Sequence, residues 1–190
     1  RSFTDQQYTR FMKIVNALEE KGITFQYVHC NNSPGGSYHP DKQCTMARSC
    51  TTLSGYPMDP ARPILGLEPV VEWKTKVVQI KKLPVGATVS YGCTYKVEKP
   101  MKIAVLSVGY ADGLFKNLQG KMSVLINGKR AKSIGSMCMD FLIVDITDIE
   151  NVEEDQTATI FGNDHGVFLD PGEISWPMNL HPMLMLLYIN

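Results

Sequence analysis

Residues 122–128 read Met-Ser-Val-Leu-Ile-Asn-Gly, a short apolar run that ends in an asparagine–glycine pair. This pair is typical of the type I′ turn between two antiparallel strands, because both of its residues tolerate positive φ angles. Further runs that are rich in β-branched or aromatic residues lie at 77–80, 89–91, 102–108, 141–146 and 157–161. Short strands separated by turns predict an antiparallel β domain, and we expect it to form a barrel.

The amino-terminal part of the chain has a helical period instead. Apolar side chains recur at the spacing of one helix face at Tyr8, Phe11, Val15 and Leu18. Thr4 and Gln7 form a candidate capping box, and Gly22 can end the helix in the left-handed conformation. Alternating apolar and polar residues over 23–28 then predict a strand, which the polar loop 31–36 follows. This order is typical of one β/α unit.

The two patterns meet at a junction marked by Pro60, Pro63 and Pro69, since each proline restricts the preceding residue to extended geometry. We therefore expect one domain over residues 1–66 and a second over residues 67–190. The 19 basic and 19 acidic residues balance, so no basic stripe favours nucleic-acid binding. No apolar run approaches the roughly 20 residues that span a bilayer, so no membrane-spanning segment is expected.

The five cysteines are odd in number and irregularly spaced, which argues against a disulfide framework and favours a reducing compartment. Cys30, Cys44 and Cys50 lie near His29 and His39 in the sequence, so a metal site has to be considered. None of these residues forms the close C-x-x-C or H-x-x-x-H pair that ordered zinc sites usually contain. We therefore expect no metal site.

Several short motifs carry the functional signal. They are Val-Ser-Tyr-Gly at 89–92, Gly-Tyr-Ala-Asp-Gly at 109–113, Met-Cys-Met-Asp at 137–140, His-Cys-Asn-Asn-Ser at 29–33 and Met-Ala-Arg at 46–48. Each motif by itself is typical of turns, where glycine supplies positive φ angles. Taken together, in their order and spacing along the chain from about residue 3 to residue 160, these motifs resemble the alanine racemase family.

The resemblance implies a fold in which a β/α barrel that binds pyridoxal phosphate (PLP) precedes a β domain. This chain resembles the incomplete carboxyl-terminal part of such a barrel followed by the antiparallel β-barrel-like domain. The family forms a homodimer in which the β domain of one subunit covers the barrel of the other. The implied substrate is a small amino acid, with L- and D-alanine or serine interconverted for cell wall biosynthesis. The implied location is the cytoplasm, or the cytoplasmic domain of a membrane protein.

Tyr91 resembles the catalytic tyrosine of the family, which works from the face of the substrate opposite to a lysine. Racemisation needs two such groups, because one removes the Cα proton and the other returns a proton across the plane. Arg48 resembles the arginine that faces the pyridine nitrogen of PLP, and a guanidinium leaves that nitrogen unprotonated because it keeps its own proton. The phosphate-side loop of the family is matched by His29, Asn32 and Ser33.

The substrate side of the family site is matched by Tyr110, Cys138, Met139, Asp140 and Tyr188. The resemblance implies that Tyr110 lines the substrate entrance, that the backbone of Met139 contacts the substrate carboxylate, and that Asp140 holds this loop. Tyr188 matches a second gate tyrosine by its distance from Ile174. Prolines within the last 20 residues predict an irregular ending, because proline inside a helix costs about 3 kcal/mol.

The sequence also departs from the family. Ser-Cys-Thr at 49–51 stands where Pro-Gly-Ile is usual, Ser54 replaces a tyrosine, and Lys116 and Ser136 stand where arginines are frequent. A cysteine in place of glycine predicts crowding near the phosphate, because a Cβ atom is added where backbone would approach the ligand. Two fewer arginines predict a less positive substrate channel.

The family lysine that binds PLP covalently lies in the first barrel strand, and no lysine of this chain stands in that context. We therefore expect the 190-residue chain by itself to be inactive. Half a barrel leaves apolar strand faces and strand edges uncovered, so we also expect the chain to self-associate or to expose hydrophobic surface. The alternative to a racemase part is a non-catalytic β-barrel module for dimerisation or amino-acid binding, derived from a truncated or degenerate racemase. The altered 49–54 stretch favours that alternative for the chain alone.

Overall fold

The computed structural model describes residues 2–59, 61–64 and 66–189. The chain divides into two compact units, residues 1–70 and residues 71–190, which we call the N-unit and the β-unit. None of the described helices is long and apolar enough to cross a membrane.

The N-unit contains the helix α1 (Ser2–Glu19), the short helix α2 (Ser33–Tyr38) and a 3-10 turn (Thr51–Ser54). The predicted first helix is confirmed, and Gly22 follows its end with a φ of 80°, in the predicted left-handed conformation. The predicted capping box is wrong, because the helix begins at Ser2 and Thr4 lies inside its first turn.

The strand predicted over residues 23–28 does not form in the described part of the N-unit. An extended segment becomes a strand only when a neighbouring strand pairs its backbone groups in a continuous row. Here a single such bond is made, by the Met46 N–H, which donates to the Val28 carbonyl oxygen at 3.1 Å. The three apolar side chains of the predicted alternation are exposed: Ile23, Phe25 and Tyr27.

The β-unit is built on an antiparallel sheet. Its described strands are β1 (Trp73–Leu83), β2 (Thr88–Val89), β3 (Tyr95–Lys96), β4 (Met101–Leu106), β5 (Ser123–Ile126), β6 (Lys129–Lys132), β7 (Leu142–Asp145), β8 (Thr157–Asp164) and β9 (Val167–Leu169). The sheet order is β6-β5-β8-β1-β4-β7, with β9 beside β8, while β2 and β3 pair separately. The predicted antiparallel β domain is confirmed, and closure into a barrel stays a prediction.

Strand β1 connects the two halves of the sheet. Its residues 73–76 pair with β8, and its residues 77–83 pair with β4. The partner changes between Lys76 and Val77, and the register with β4 shifts immediately afterwards, between Val77 and Gln79. An irregularity of this kind bends a strand and increases its twist. One long strand can therefore serve both neighbours.

The predicted hairpin at Asn127 and Gly128 is confirmed. Ile126 pairs with Lys129, and the two residues between them have φ angles of 52° and 71°. The return strand β6 has the sequence Lys-Arg-Ala-Lys, in which only Ala131 is buried. The sequence of β6 has no strand pattern. This segment is a strand because its backbone pairs with β5.

Two hydrophobic clusters support the β-unit. The larger one lies against the sheet and includes Val77, Ala104, Leu106, Val124, Ile126, Val144, Ile160 and Phe161. The smaller one consists of Val89, Val97, Met101, Ile103 and Ile134. Burial of such side chains contributes roughly 25 cal/mol per Å² of apolar surface. The smaller cluster anchors β2 immediately before Tyr91.

Short helical segments end the described β-unit: α3 (Pro171–Ser175), a 3-10 turn (Trp176–Met178) and α4 (Pro182–Leu187). The expected irregular ending is wrong. Each segment carries its proline at the first or second position, where the missing N–H costs no helical hydrogen bond. The prolines therefore divide this stretch into separate short helices.

Candidate functional site

Tyr91 begins a tight 3-10 turn (Tyr91–Cys93) that directly follows β2. Its neighbours Ser90, Gly92 and Cys93 have φ angles of 66°, 72° and 50°. Ser90 combines its positive φ with a ψ of −177°, a region that residues other than glycine rarely adopt. The turn leaves the Tyr91 side chain 74% exposed.

Hydroxyl groups tie this turn to the segment that carries Ser136. The Ser90 hydroxyl donates to the Ser136 carbonyl oxygen, and the Ser136 hydroxyl donates to the Tyr91 carbonyl oxygen at 3.2 Å. Thr94 Oγ1 lies 3.1 Å from Ser136 Oγ. Gly135 packs against the same turn, because a Cβ atom at Gly135 would lie 3.0 Å from the Ser90 Cβ. Residues 135 and 136 therefore hold the turn from one side.

The third motif forms a closed loop that contacts the second. The Cys138 N–H donates to the Phe141 carbonyl oxygen at 2.9 Å and closes the loop. The Tyr110 N–H donates to the Cys138 carbonyl oxygen at 3.1 Å, and the Ala111 N–H donates to the Met139 carbonyl oxygen at 3.0 Å. These bonds fix the backbone of Tyr110 against the loop.

Gly109 makes this contact possible, because a Cβ atom there would lie 2.2 Å from the Met139 carbonyl oxygen. The Gly109 N–H donates to the Asp112 carboxylate at 2.8 Å. The Asp140 carboxylate is exposed and makes no hydrogen bond or ion pair with any residue that the structure describes. Backbone bonds therefore hold the loop against the Tyr110 segment, and the role that the resemblance implies for Asp140 stays a prediction.

These contacts join the three motifs of the β-unit into one surface. The Ser90 Oγ lies 3.7 Å from the Cys138 Sγ, so the Tyr91 turn touches the loop that in turn holds Tyr110. We call the surface formed by Tyr91, Tyr110, Cys138 and Met139 the tyrosine surface. Tyr91, Tyr110 and Met139 are all exposed on it.

Tyr188 lies beside Tyr110. The Tyr188 ring meets the Phe115 ring edge to face, with the two ring centroids 5.3 Å apart. The Lys116 ammonium lies 5.3 Å from the centroid of the Tyr110 ring, within the range of a cation–π contact. All four side chains line one open groove of about 430 Å³. The structure thus brings the two predicted gate tyrosines to the same groove.

In the N-unit, Asn32 and Ser33 lie at the start of α2. The Asn32 side-chain oxygen caps the helix by accepting a backbone N–H at 3.0 Å. Ser33 is buried, and its hydroxyl oxygen accepts the Cys50 N–H at 2.8 Å. The Arg48 N–H donates to the Asn31 carbonyl oxygen at 3.0 Å. Two of the predicted cofactor-binding segments therefore run side by side.

A group of hydroxyls surrounds Ser33. Thr52 Oγ1 lies 3.4 Å from Ser33 Oγ and 2.6 Å from Ser49 Oγ. The Thr51 hydroxyl is buried without a hydrogen-bond partner among the described residues. Hydroxyl donors suit a phosphate group, so this set of hydroxyls fits the phosphate of PLP. Cys50 is exposed and its φ of −142° does not require glycine, and the crowding that its Cβ atom would cause at the phosphate stays a prediction.

The side chains of Arg48 and His29 do not contact this set of hydroxyls. Both side chains are exposed, and neither makes a hydrogen bond or ion pair within the described ranges. Burial raises the pKa of the nearby Cys30 thiol, as does the Cys44 thiol, whose sulfur lies 3.6 Å away. The charge of Arg48 partly offsets this increase in the pKa of Cys30.

One cavity in the N-unit has a volume of about 650 Å³. Of the predicted cofactor residues it includes Asn32, while His29, Ser33 and Arg48 lie outside its lining. No group of three or more His, Cys, Asp or Glu side chains that could hold a metal ion occurs among the described residues.

Sequence reasoning missed the contribution of Ser90 and Thr94. Ser90 belongs to the Val-Ser-Tyr-Gly motif, yet its partner Ser136 is 46 residues away in the sequence. The one available signal was Ser136 itself, which stands where an arginine is frequent in the family. It indicated a changed charge and not a changed hydrogen bond.

Comparison with family models gives two matches. Residues 70–175 match the model described as alanine racemase, C-terminal domain, and residues 1–57 match the model described as alanine racemase, N-terminal domain.

Individual relatives give the same result. The alanine racemase of Desulforamulus reducens is 40% identical over 164 residues, which are 85% of this chain and 44% of that protein. Alanine racemase 2 of Caldanaerobacter subterraneus is 34% identical over 183 residues, 96% of this chain and 47% of that protein. The crystal structure of alanine racemase from Bacillus anthracis with bound L-Ala-P has a TM-score of 0.90 and 28% identity, covering 100% of this chain and 49% of that chain. The chain thus spans about half the length of these proteins.

Proposed function

The chain belongs to the alanine racemase family, and from this membership we propose that it forms the carboxyl-terminal part of a PLP-dependent racemase that interconverts L- and D-alanine, or the two enantiomers of serine. The tyrosine surface carries this proposal. It joins three segments that are distant in sequence and presents an exposed phenol on a strained turn. Backbone strain of this kind concentrates at functional sites, because a fold without a use for it would relax.

Tyr91 is the proposed catalytic residue of this chain. Its hydroxyl makes no hydrogen bond with any described residue, so it is available to take a proton from the substrate Cα or to return one. PLP, when bound, withdraws electrons from the substrate and so acidifies the Cα–H bond. A lysine from the part of the family fold that this chain does not match would act on the opposite face.

Met139 is the proposed contact to the substrate carboxylate. Its carbonyl oxygen already accepts the Ala111 N–H, whereas its own N–H has no partner within the described ranges. A free backbone N–H that a closed loop holds in place suits a carboxylate oxygen. Tyr110, Cys138 and Tyr188 would line the approach to this point, with Asp140 at the loop surface.

The N-unit would contribute to cofactor binding. The buried Ser33 hydroxyl and its neighbouring donors would hold the phosphate of PLP, with Asn32 fixing the start of α2. Arg48 would face the pyridine nitrogen with its exposed guanidinium, and His29 would lie on the same side. The guanidinium would leave that nitrogen without a proton, because a guanidinium keeps its own protons and only donates hydrogen bonds.

The proposed assembly is a homodimer in which Tyr91 enters the site of the partner subunit. The exposure of Tyr91, Tyr110 and Met139 supports this arrangement, since such side chains are commonly covered by a partner. The substrates are small amino acids, and the D-amino acid would be used in cell wall biosynthesis.

A second candidate function is a non-catalytic module that dimerises or binds amino acids. The departures at residues 49–54 favour it, because they change the phosphate-side donors from backbone and tyrosine to small hydroxyls. The set of hydroxyls around Ser33 is still able to bind a phosphate, which favours the racemase.

A fusion enzyme tests the proposal. In it, this chain replaces the matched carboxyl-terminal part of the Desulforamulus reducens alanine racemase, so that the relative supplies the remaining residues. We expect the fusion to bind PLP and to racemise alanine or serine. Tyr91→Phe in the fusion should retain PLP, shown by its absorbance after dialysis, and lose about 10²- to 10⁴-fold in rate.

The loss should also be directional. Only the enantiomer whose Cα proton points at Tyr91 needs the phenol for proton abstraction, so exchange of the other enantiomer's Cα–H with solvent deuterium should survive better. A fusion that folds and holds PLP but racemises neither amino acid would contradict the racemase proposal. The non-catalytic module would then remain as the candidate function. Equal loss of exchange from both enantiomers in Tyr91→Phe would refute the role of Tyr91.

A further inference from the structure

The turn that carries Tyr91 cannot hold its shape by itself. Ser90, Gly92 and Cys93 all have positive φ, and two of these residues carry side chains. Within the turn, one backbone bond is made, from the Cys93 N–H to the Ser90 carbonyl oxygen at 3.2 Å. Uncommon backbone conformations persist only where the surrounding structure enforces them.

Ser136 supplies that enforcement. Its carbonyl oxygen accepts the Ser90 hydroxyl, and its own hydroxyl donates to the Tyr91 carbonyl oxygen at 3.2 Å. Because a hydroxyl has one proton, Thr94 Oγ1, 3.1 Å away, then donates to Ser136 Oγ. One residue thus contacts the turn before, at and after the tyrosine.

Ser136 itself stands on a rigid base. Ile134 is buried in the smaller hydrophobic cluster, and its N–H donates to the Ile143 carbonyl oxygen of β7 at 2.9 Å. Gly135 packs closely against Val89 and Ser90, since a Cβ atom there would lie 3.2 Å from the Val89 carbonyl oxygen. The sheet therefore fixes Ser136, and Ser136 fixes the turn.

We propose that Ser136 is the positioning residue of Tyr91: through the two hydrogen bonds to the turn it sets the direction of the phenol and hence the efficiency of proton transfer. This inference rests on the proposed function. Ser136 does not touch the phenol and is not a catalytic residue. Its effect is geometric, because proton transfer needs donor and acceptor atoms within about 2.6–3.2 Å in a defined direction.

The first test uses the 190-residue chain and needs no cofactor. Ser136→Ala removes the hydroxyl and keeps the carbonyl, so amide hydrogen exchange at Cys93, followed by NMR, should become about 5-fold faster. Ser136→Thr keeps the hydroxyl and should restore the slow exchange. Thr75→Val is the matched control, because it removes another hydroxyl bond of the β-unit, from Thr75 to the Ser107 carbonyl oxygen at 2.7 Å. It should leave Cys93 unchanged.

The second test uses the fusion enzyme. Ser136→Ala should lower kcat about 10-fold while KM changes less than about 2-fold, because substrate contacts are untouched. Its deuterium exchange should fall for the same enantiomer as in Tyr91→Phe and be spared for the other. Ser136→Thr should recover both values. A purely structural role would lower exchange from both enantiomers equally and would overturn the proposal.

The two hypotheses fail separately. Directional loss in Tyr91→Phe together with wild-type kinetics in Ser136→Ala would refute the positioning role and leave the function of Tyr91 intact. Symmetric behaviour of Tyr91→Phe would refute the proposed function itself. Unchanged exchange at Cys93 in Ser136→Ala would contradict the positioning role whatever the fusion enzyme does.

Discussion

Gly109 packs directly against Met139: a Cβ atom on Gly109 would lie 2.2 Å from the Met139 carbonyl oxygen and 2.4 Å from the Cys138 carbonyl oxygen. Cβ atoms in folded proteins do not approach backbone oxygens this closely. The contact connects the second and third motifs of the β-unit, so the loop that presents Met139 depends on the absence of a side chain at residue 109.

Gly109→Ala should therefore push the Met139 loop away from the Tyr110 segment. We expect the free energy of unfolding of the 190-residue chain to fall by about 1 to 3 kcal/mol, measured by urea denaturation. In the fusion enzyme, KM for the amino acid should rise. Gly36→Ala is the control, since nothing lies within 4 Å of a Cβ atom there and alanine favours the helix α2. Equal stability of Gly109→Ala and wild type would contradict the packing argument.

Subunit mixing tests whether Tyr91 acts in the partner's site. One fusion carries Tyr91→Phe, and a second lacks the lysine that binds PLP in the amino-terminal part of the relative. Each should be inactive alone. If Tyr91 acts in the partner's site, a heterodimer contains one site with both the tyrosine and the lysine. An equal mixture that is dissociated and reassociated forms heterodimers in about half of its dimers, so it should recover about a quarter of the wild-type activity. No recovery, with heterodimers demonstrated by mass, would show that Tyr91 and the lysine act within one subunit.

Ser33→Ala tests the phosphate contact. Loss of the hydroxyl should weaken PLP binding by the fusion enzyme about 10-fold, measured by fluorescence titration, because a hydrogen bond to a charged group is removed. Ser37→Ala is the matched control, since Ser37 is an exposed serine of the same helix α2. An unchanged affinity for PLP in Ser33→Ala would exclude the set of hydroxyls around Ser33 as the phosphate site.

The reactivity of Cys30 should reflect its raised pKa. Only the thiolate is alkylated, so at pH 8 iodoacetamide should modify Cys30 more slowly than the exposed Cys93. Cys44→Ala removes one cause of the raised pKa and should speed the reaction of Cys30. Arg48→Gln removes the offsetting charge and should slow it. Peptide mass spectrometry over pH 7 to 10 measures both rates, and shifts in the same direction for the two variants would refute these causes.

Local sequence patterns determined several elements of this fold. The helical period placed α1, runs of β-branched and aromatic residues placed most strands of the sheet, and Asn127 with Gly128 determined the hairpin. These features depend on residues a few positions apart, where backbone sterics and side-chain period act directly. The five short motifs, taken together in their order along the chain, likewise identified the family, because each is contained in a few adjacent residues.

Tertiary structure decided what depends on distant partners. Residues 23–28 have a strand pattern but no strand, whereas β6 is a strand without a pattern, because strand formation requires a neighbour that pairs the backbone. The link between Ser90 and Ser136 spans 46 residues, and no local rule predicts it. The sequence by itself therefore named Tyr91, and the fold supplied the hydroxyls that hold it in place, since hydrogen bonds across a sheet form only after burial of the core has brought distant segments together.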